Sequence, residues 1–425
     1  MSSNFGKEER LAFEQILEGF TDQLVVSRLA SVYRTDQVSM ERTSDVIWRP
    51  QPYISQSFDG TDQTSNFKFY TQLSVPATIG YSKSVPWVMN TKELRDALQE
   101  NRLADSAKKR LASDINVALL NTLCAQGTLV VTSTSSASGF DDIAKVDTLM
   151  NEQGIADSDR YIALSSRDYN NMASNLQVAT RTFGNKKSEN AYENAYVGRV
   201  ANIETYKLDY SKRLTLAGGG NSCTISTLST GANVYAPKAT SIATTGERSN
   251  VDNRFQTVTL AAGSANIAAG DCFTIAGVNS VHHITKQDTG QLKTFRVISK
   301  LTSTSLVISP PLITGQGGTD AELQYQNCVV NTESATSAIT WLNTATVNMN
   351  PFWHKDALEL LPGRYAVPAD AGTAVIRSST DQGIELVFQK WYDMKTMMIQ
   401  YRLDCLFGVV NKQPEMTGIM LFNQS

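Results

Sequence analysis

The residues of this chain that could carry chemistry are few and scattered. Of its three histidines, His282 and His283 are adjacent, and His354 stands beside Trp353 in NPFWHKDALEL. On a strand, neighbouring side chains point to opposite faces, so His282 and His283 would not converge on one metal ion. Five cysteines, Cys124, Cys223, Cys272, Cys328 and Cys405, are widely spaced with no CxxC pair. That pattern reads as buried free thiols. Gly218, Gly219 and Gly220 are followed by neither GKS nor GKT, so they form no phosphate loop. Asp141 and Asp142 could pair for acid–base work, but they precede a helical run, where acids complement the helix dipole. No nucleophile sits next to a base in a recognisable local motif. The expectation is a protein that is not an enzyme, with no cofactor and no metal.

Composition narrows the classes further. With 41% hydrophobic residues in 425, the chain can bury the cores of two or three domains. A formal charge of -3 leaves no basic stripe to replace phosphate counterions, so contact with nucleic acid would be weak and non-specific. The start, MSSNFGKEERLAFEQ, lacks a basic n-region and an apolar core, and no run approaches the roughly eighteen apolar residues of a membrane span. A soluble cytosolic product without membrane contact is expected.

Several elements must organise these residues. Residues 90–126 contain neither Gly nor Pro, and as one helix they would run about 50 Å. Asn90 with Glu93 fits an N-cap and its reciprocal partner, and Gly127 supplies the stop. Leu94, Leu98, Leu103, Ala107, Leu111, Ile115, Leu119 and Leu123 mark one apolar stripe. A helix this long needs a partner along its length and therefore reads as a spine.

Before it, residues 5–32 read as an amphipathic helical arm. Leu11, Phe13, Ile16, Leu17, Phe20, Leu24 and Val25 lie on its apolar side and Glu8, Glu9, Glu14, Glu18 and Asp22 on the other. Two readings of the acidic side stay open, a solvated face or a docking surface for a basic partner. From 46 to 81 the period changes to two: Val46, Trp48, Phe67, Phe69 and Thr71 alternate with polar residues in two extended arms around Asp59 and Gly60. Pro50, Pro52 and Pro76 make those arms edge-like.

After the spine, strands at 129–134, 161–164 and 196–208 alternate with helices at 142–153 and from Ser166 to about 175, an α/β or α+β unit. Residues 214–350 then hold only seven Lys+Arg and seven Asp+Glu. Short β-like runs there, at 257–260, 272–275, 295–298, 305–308 and 326–330, suggest a small sandwich or barrel inserted into a host domain. Strands at 384–388, 397–403 and 407–410 would close the host sheet.

This layout, with SMERTSDVIWRP at 39–50, VDNRFQTVTL at 251–260, GDCFTIAGV at 270–278 and NPFWHKDAL at 350–358, resembles the major capsid (coat) proteins of tailed bacteriophages. Within them it is most similar to the coat proteins of short-tailed, Salmonella-type lambdoid phages. The resemblance implies an α+β fold, the tailed-phage and herpesvirus major-capsid fold. Its parts would be an N-terminal arm (1–35), an extended β-hairpin loop (36–85), the spine helix with the peripheral domain (86–135) and an axial α/β domain (136–213). An inserted Ig-like or telokin-like β-domain (214–349) and a return to the axial and peripheral domains (350–425) complete it.

The same resemblance implies a structural role: assembly, with a scaffolding protein, into an icosahedral procapsid and mature head around the genome. The partners it implies are copies of the chain in pentamers and hexamers, scaffolding and portal proteins and encapsidated double-stranded DNA, with a decoration protein as a further candidate. Assembly would take place in the host cytoplasm, with the virion capsid as destination and a triangulation number of seven as the usual outcome. Glu14, Glu18 and Asp22 would face the basic end of the scaffolding protein. Glu247 and Arg248, in the loop at 237–250, would cross a two-fold contact between capsomers, and Asp59 and Gly60 would mark the tip of the extended loop. The alternatives are a secreted or surface adhesin using an Ig-like module, against which the missing signal peptide counts, and a hydrolase with an appended β-module.

Overall fold

The computed structural model describes residues 7–33, 46–52, 54–64, 66–90, 97–181, 197–218, 223–226, 228, 233–262, 266–331, 336–366 and 374–424. Two compact units emerge: Met1–Ile47, Ala77–Asn121 and Leu358–Val410 form one, and Trp48–Pro76, Thr122–Ala357 and Asn411–Ser425 the other.

The first unit is a helix on a sheet. Its longest strand, Met398–Asn411, pairs antiparallel with Glu385–Asp393 and with Tyr81–Asn90, and Ala374–Ser379 extends one edge. The two strands expected at 397–403 and 407–410 are thus one continuous strand. Phe388, Tyr401 and Trp87 stack with ring centroids 5.5–5.9 Å apart, and Phe13 from the helix Lys7–Gln23 stacks on Phe388 at 6.0 Å. Phe13, Ile16 and Phe20 are buried, as helical spacing on one face requires. Leu11 and Val25, expected on that face, are exposed instead, and at Val25 the helix has been broken by Leu24 and a second short helix, Val25–Arg28, begins.

The spine helix is described over Ala97–Gln126, 30 residues and about 45 Å long. Ala107, Leu111, Ile115, Leu119 and Leu123 are buried as the stripe predicts, whereas Leu103 is exposed. Leu94 and Glu93 lie outside the described residues. Asn90 closes the strand Tyr81–Asn90, opposite Met398, and the cap expected of its side chain lies outside the described residues. Its last turn falls in the second unit and stops at Gly127, which holds no positive φ. Close approach is the reason for glycine: a Cβ there would meet Leu123 O at 2.8 Å and Gly418 Cα at 3.2 Å.

The second unit contains an α/β layer and a barrel. The layer's sheet runs Leu129–Thr132, Thr417–Leu421, Asn350–His354, Arg160–Ser165, Ile203–Leu208, Arg199–Val200, flanked by helices Phe140–Glu152 and Ser166–Arg181. Ser165 rather than Ser166 caps the latter helix, taking the Asp168 amide at 3.3 Å while its hydroxyl donates to the Asp168 carboxylate at 2.6 Å. Gly154, in the left-handed region at φ 74, closes the former.

In the inserted region, seven strands order as Asp288–Lys300, Ser305–Ser309, Gln256–Ala262, Thr224–Ser226, Thr336–Trp341, Cys272–Val281, Cys328–Val330. Pairing of Cys272–Val281 with Asp288–Lys300 closes the first six into a barrel. Its core is Ile225, Val258, Phe273, Ile275, Phe295, Val297, Leu306, Ile308 and Trp341, with Cys223 and Cys328 as small buried fillers. All five cysteines are buried and free.

The extended arms around Asp59 are a correction. Only Val46–Pro50 and Ser74–Thr78 pair, and Phe67, Phe69 and Thr71 belong to no strand. Alternation persists where it has a core to face, at Leu73, Val75, Ala77 and Ile79, all buried. Between the two strands the chain is a loop, closed at its root by the Gln51 amide donating to Leu73 O at 2.8 Å and held further out by side chains.

Candidate functional site

Three surfaces hold most of the residues singled out by sequence, and a buried junction takes in His283. On the N-terminal helix, burial of Phe13, Ile16 and Phe20 turns Glu14 and Glu18 outward, and both are exposed. Asp22 belongs to the same helix, but its side chain lies outside the description.

Glu247 and Arg248 lie at a hairpin that projects from the barrel. Thr240–Ile242 pairs with Arg248–Asn250, and the turn is closed by the Ala243 and Gly246 amides donating to Glu247 O and Ala243 O, both at 2.9 Å. Both side chains are exposed. The hairpin's base is pinned by the VDNRF string itself. Asn253 exchanges hydrogen bonds with the backbone of Lys238 at 2.9 and 3.0 Å and accepts the Tyr235 hydroxyl at 2.9 Å. Arg254 grips Asp252 through Nη2 at 2.7 Å and donates through Nη1 to Asn411 O at 2.9 Å. The VDNRF string is therefore structural, and it holds the hairpin's base.

Asp59 and Gly60 sit in an exposed tip, with Gly60 at φ 97 and Gln63 Nε2 donating to both their carbonyls at 3.2 and 2.6 Å. They form part of a longer tip loop, not a two-residue turn. Nearby, Phe67 and Phe69 are 87% and 95% exposed, and they were read as strand residues in sequence. Two large apolar side chains two residues apart thus stand in water.

The junction is built around Glu415, in the 3-10 turn Pro414–Met416. Lys293 from the barrel donates to Glu415 Oε1 at 2.6 Å and Asn327 donates to the same oxygen at 2.9 Å. Lys286, whose Nζ donates to Gln326 O at 3.0 Å, and His283 complete the group. Burial pushes His283 down to about 4 and Lys286 down to about 8. For Glu415, burial opposes ionisation, but Lys293, His283 and Lys286 together outweigh it and hold the carboxyl below its ordinary value. Two more barrel side chains reach the end of the spine helix: Arg296 Nη1 donates to Gly127 O at 3.2 Å and Thr294 to Thr128 O at 2.8 Å. The backbone that leaves the helix C-terminus is thus held by the inserted domain.

His282 and His283 do not stand on a strand, whereas His354 ends the strand Asn350–His354. His282 follows one, and its Nδ1 accepts the Ile284 and Thr285 amides at 3.3 and 3.2 Å, so it organises a turn. His354 is buried and its Nδ1 accepts the Asp356 amide at 3.3 Å. Asp142 is buried too, accepting the Ser138 amide at 2.7 Å and hydroxyl at 3.0 Å, so it orders a loop instead of pairing with Asp141. Among the described residues no group of three or more His, Cys, Asp or Glu is placed to hold a metal. Sequence reading missed Glu415, Lys293, Arg296 and the helix Asp320–Tyr325. Only the helix had a signal, the capping-box spacing of Thr319 and Glu322, where Thr319 Oγ1 accepts the Glu322 amide at 3.3 Å.

The described residues thus present an exposed acidic helix face, a pinned hairpin and an exposed aromatic loop. The chain is similar to several phage structures. The coat protein I-domain of CUS-3 is 39% identical over 30% of this chain and 99% of that one, with a TM-score of 0.23. A structure from Mycobacterium phage Che8 is 9% identical over 93% of this chain and 90% of that one, with a TM-score of 0.44. The capsid of cyanophage P-SCSP1u gives 10%, 93% and 87%, also with 0.44. Residues 1–423 match the family described as P22 coat protein - gene protein 5. The chain belongs to the P22 coat protein family, and it is a structural major capsid protein of a bacteriophage. That family is a structural one, which points away from catalysis, and the adhesin reading is not favoured. Among the described residues no helix is long and apolar enough to cross a membrane.

Proposed function

We propose that this coat protein builds an icosahedral procapsid with a scaffolding protein, and that the acidic ridge of Glu14, Glu18 and Asp22 receives the scaffold's basic end. The supporting observation is the anchoring of the helix: with Phe13 stacked on Phe388, the ridge is presented on a fixed surface. Residues 1–35 are then the scaffold-facing arm, 86–135 and 350–425 supply the peripheral domain, and 136–213 gathers around the capsomer axis. Portal protein and double-stranded DNA join the same shell, the DNA through weak contacts, and seven is the triangulation number assigned. Reversing charge in Glu14→Lys with Glu18→Lys is expected to abolish co-sedimentation with scaffolding protein and the formation of procapsids while the subunit still folds. Normal procapsids from the double variant would remove this reading.

The barrel hairpin is assigned to a contact between capsomers. Two-fold symmetry brings the same patch of each copy together, so Glu247 of one copy can meet Arg248 of another. Such an exposed pair is worth about 0.5 kcal/mol and sets register more than strength. Glu247→Arg or Arg248→Glu alone should lower shell yield, and the double exchange should restore it, as read by sedimentation. Equal yields from all three variants would end the assignment. Asp59 and Gly60 shape the loop tip that overlaps a neighbouring subunit.

A further inference from the structure

The loop between Val46–Pro50 and Ser74–Thr78 is fixed in three successive steps on the inserted barrel domain. At its root, Ile54 and Leu73 are buried with Ile313 and Tyr325. Further out, the side-chain amide of Gln324 makes a reciprocal pair with the backbone of Thr71: the Thr71 amide donates to Oε1 at 3.0 Å and Nε2 donates to Thr71 O at 3.2 Å. A glutamine amide here does what a neighbouring strand would do, and only one orientation of it satisfies both bonds. The Tyr325 hydroxyl donates to the same carbonyl at 2.9 Å. Lys68 meets Asp320 at 3.1 Å. Gln324, Tyr325 and Asp320 all belong to the helix Asp320–Tyr325. Phe69, 95% exposed, lies two residues beyond the clamped Thr71.

We infer that Gln324 and Tyr325 are positioning residues for assembly: the inserted domain aims the loop so that Phe67 and Phe69 leave the subunit in the direction of a second copy of this chain. The inference rests on the shell reading and on the loop's contact with a neighbour. A loop without strand partners would otherwise sample many directions, and each subunit would have to order it on association, which slows assembly and weakens contact. With its neck already clamped, most of that ordering is completed in the subunit. The two adjacent aromatics then act as preorganised anchors of the kind that dominate interfaces.

The test is the Gln324→Ala, Tyr325→Phe double variant, which keeps the apolar root. Hydrogen exchange at Thr71 should rise about fivefold, as for loss of a hydrogen bond worth roughly 1 kcal/mol. The initial rate of shell formation, followed by light scattering with scaffolding protein, should fall at least as far, while barrel amides keep their protection. Because this variant also alters the helix itself, a second set uses exposed groups: Lys68→Asp or Asp320→Lys alone should slow assembly about twofold, and the two together should restore it. Wild-type chain that forms no particle under any condition would overturn the shell reading and the inference with it. Wild-type shells with unchanged assembly in the double variant, or no recovery in the charge exchange, would overturn the inference alone.

Discussion

Replacing Ala112 with proline should remove the folded subunit, and with it every particle. Ala112 is 1% exposed and sits near the middle of Ala97–Gln126. Proline there loses one backbone hydrogen bond and drives its ring into the carbonyl four residues earlier, at about 3 kcal/mol or more. The site is also packed, so the ring must displace buried neighbours, adding roughly 1–3 kcal/mol. A domain holds only about 5–15 kcal/mol in total. Soluble yield and the thermal melting of purified protein read the outcome, with the exposed Lys109→Ala as a control that should melt as wild type does. An Ala112→Pro chain that stays soluble and melts within a few degrees of wild type would refute the spine's role.

The second large effect is at Glu415. Glu415→Ala leaves Lys293, 5% exposed, without its counter-charge and with Lys286 nearby. Stranding a buried charge costs roughly 3–5 kcal/mol. The carboxylate's own 27% exposure lets water relieve part of this, so about 2–3 kcal/mol is expected in urea unfolding. Lys293→Met combined with Glu415→Gln should recover most of the loss, because the charge and its desolvation go together.

The pH dependence has a definite sign. Glu415 is depressed in the folded state, so its contribution is present above the ordinary carboxylate pKa of 4.5 and is lost as pH falls through the folded value. His283, depressed by burial to about 4, is protonated first in the unfolded chain, so stability also falls between pH 6.5 and about 4. Unfolding midpoints should drop across that window in wild type and drop less in His283→Gln. Equal slopes would refute the assignment.

Much of the architecture is legible wherever a residue's environment follows from local pattern. The stripe Ala107, Leu111, Ile115, Leu119 and Leu123 repeats with the helix, and the barrel strands announce themselves by β-branched runs between turn residues. The loop at 51–73 is not legible. Phe67, Phe69 and Thr71 alternate as a strand would, but alternation specifies a strand only when a neighbour supplies ladder partners and a core. Here the partner is the side chain of Gln324, 253 residues away.

By itself the sequence determined the class: its strings and their order mark a phage coat subunit, its helix period a spine, and its acidic arm a candidate docking face. Only tertiary structure decided what those parts do to one another. Lys293 and Glu415 are 122 positions apart, and Arg296 and Gly127 are 169 apart. Neither pair leaves a periodic trace, because a hydrogen bond depends on where two chain segments meet in space, and hydrophobic period records only which face of each segment is buried.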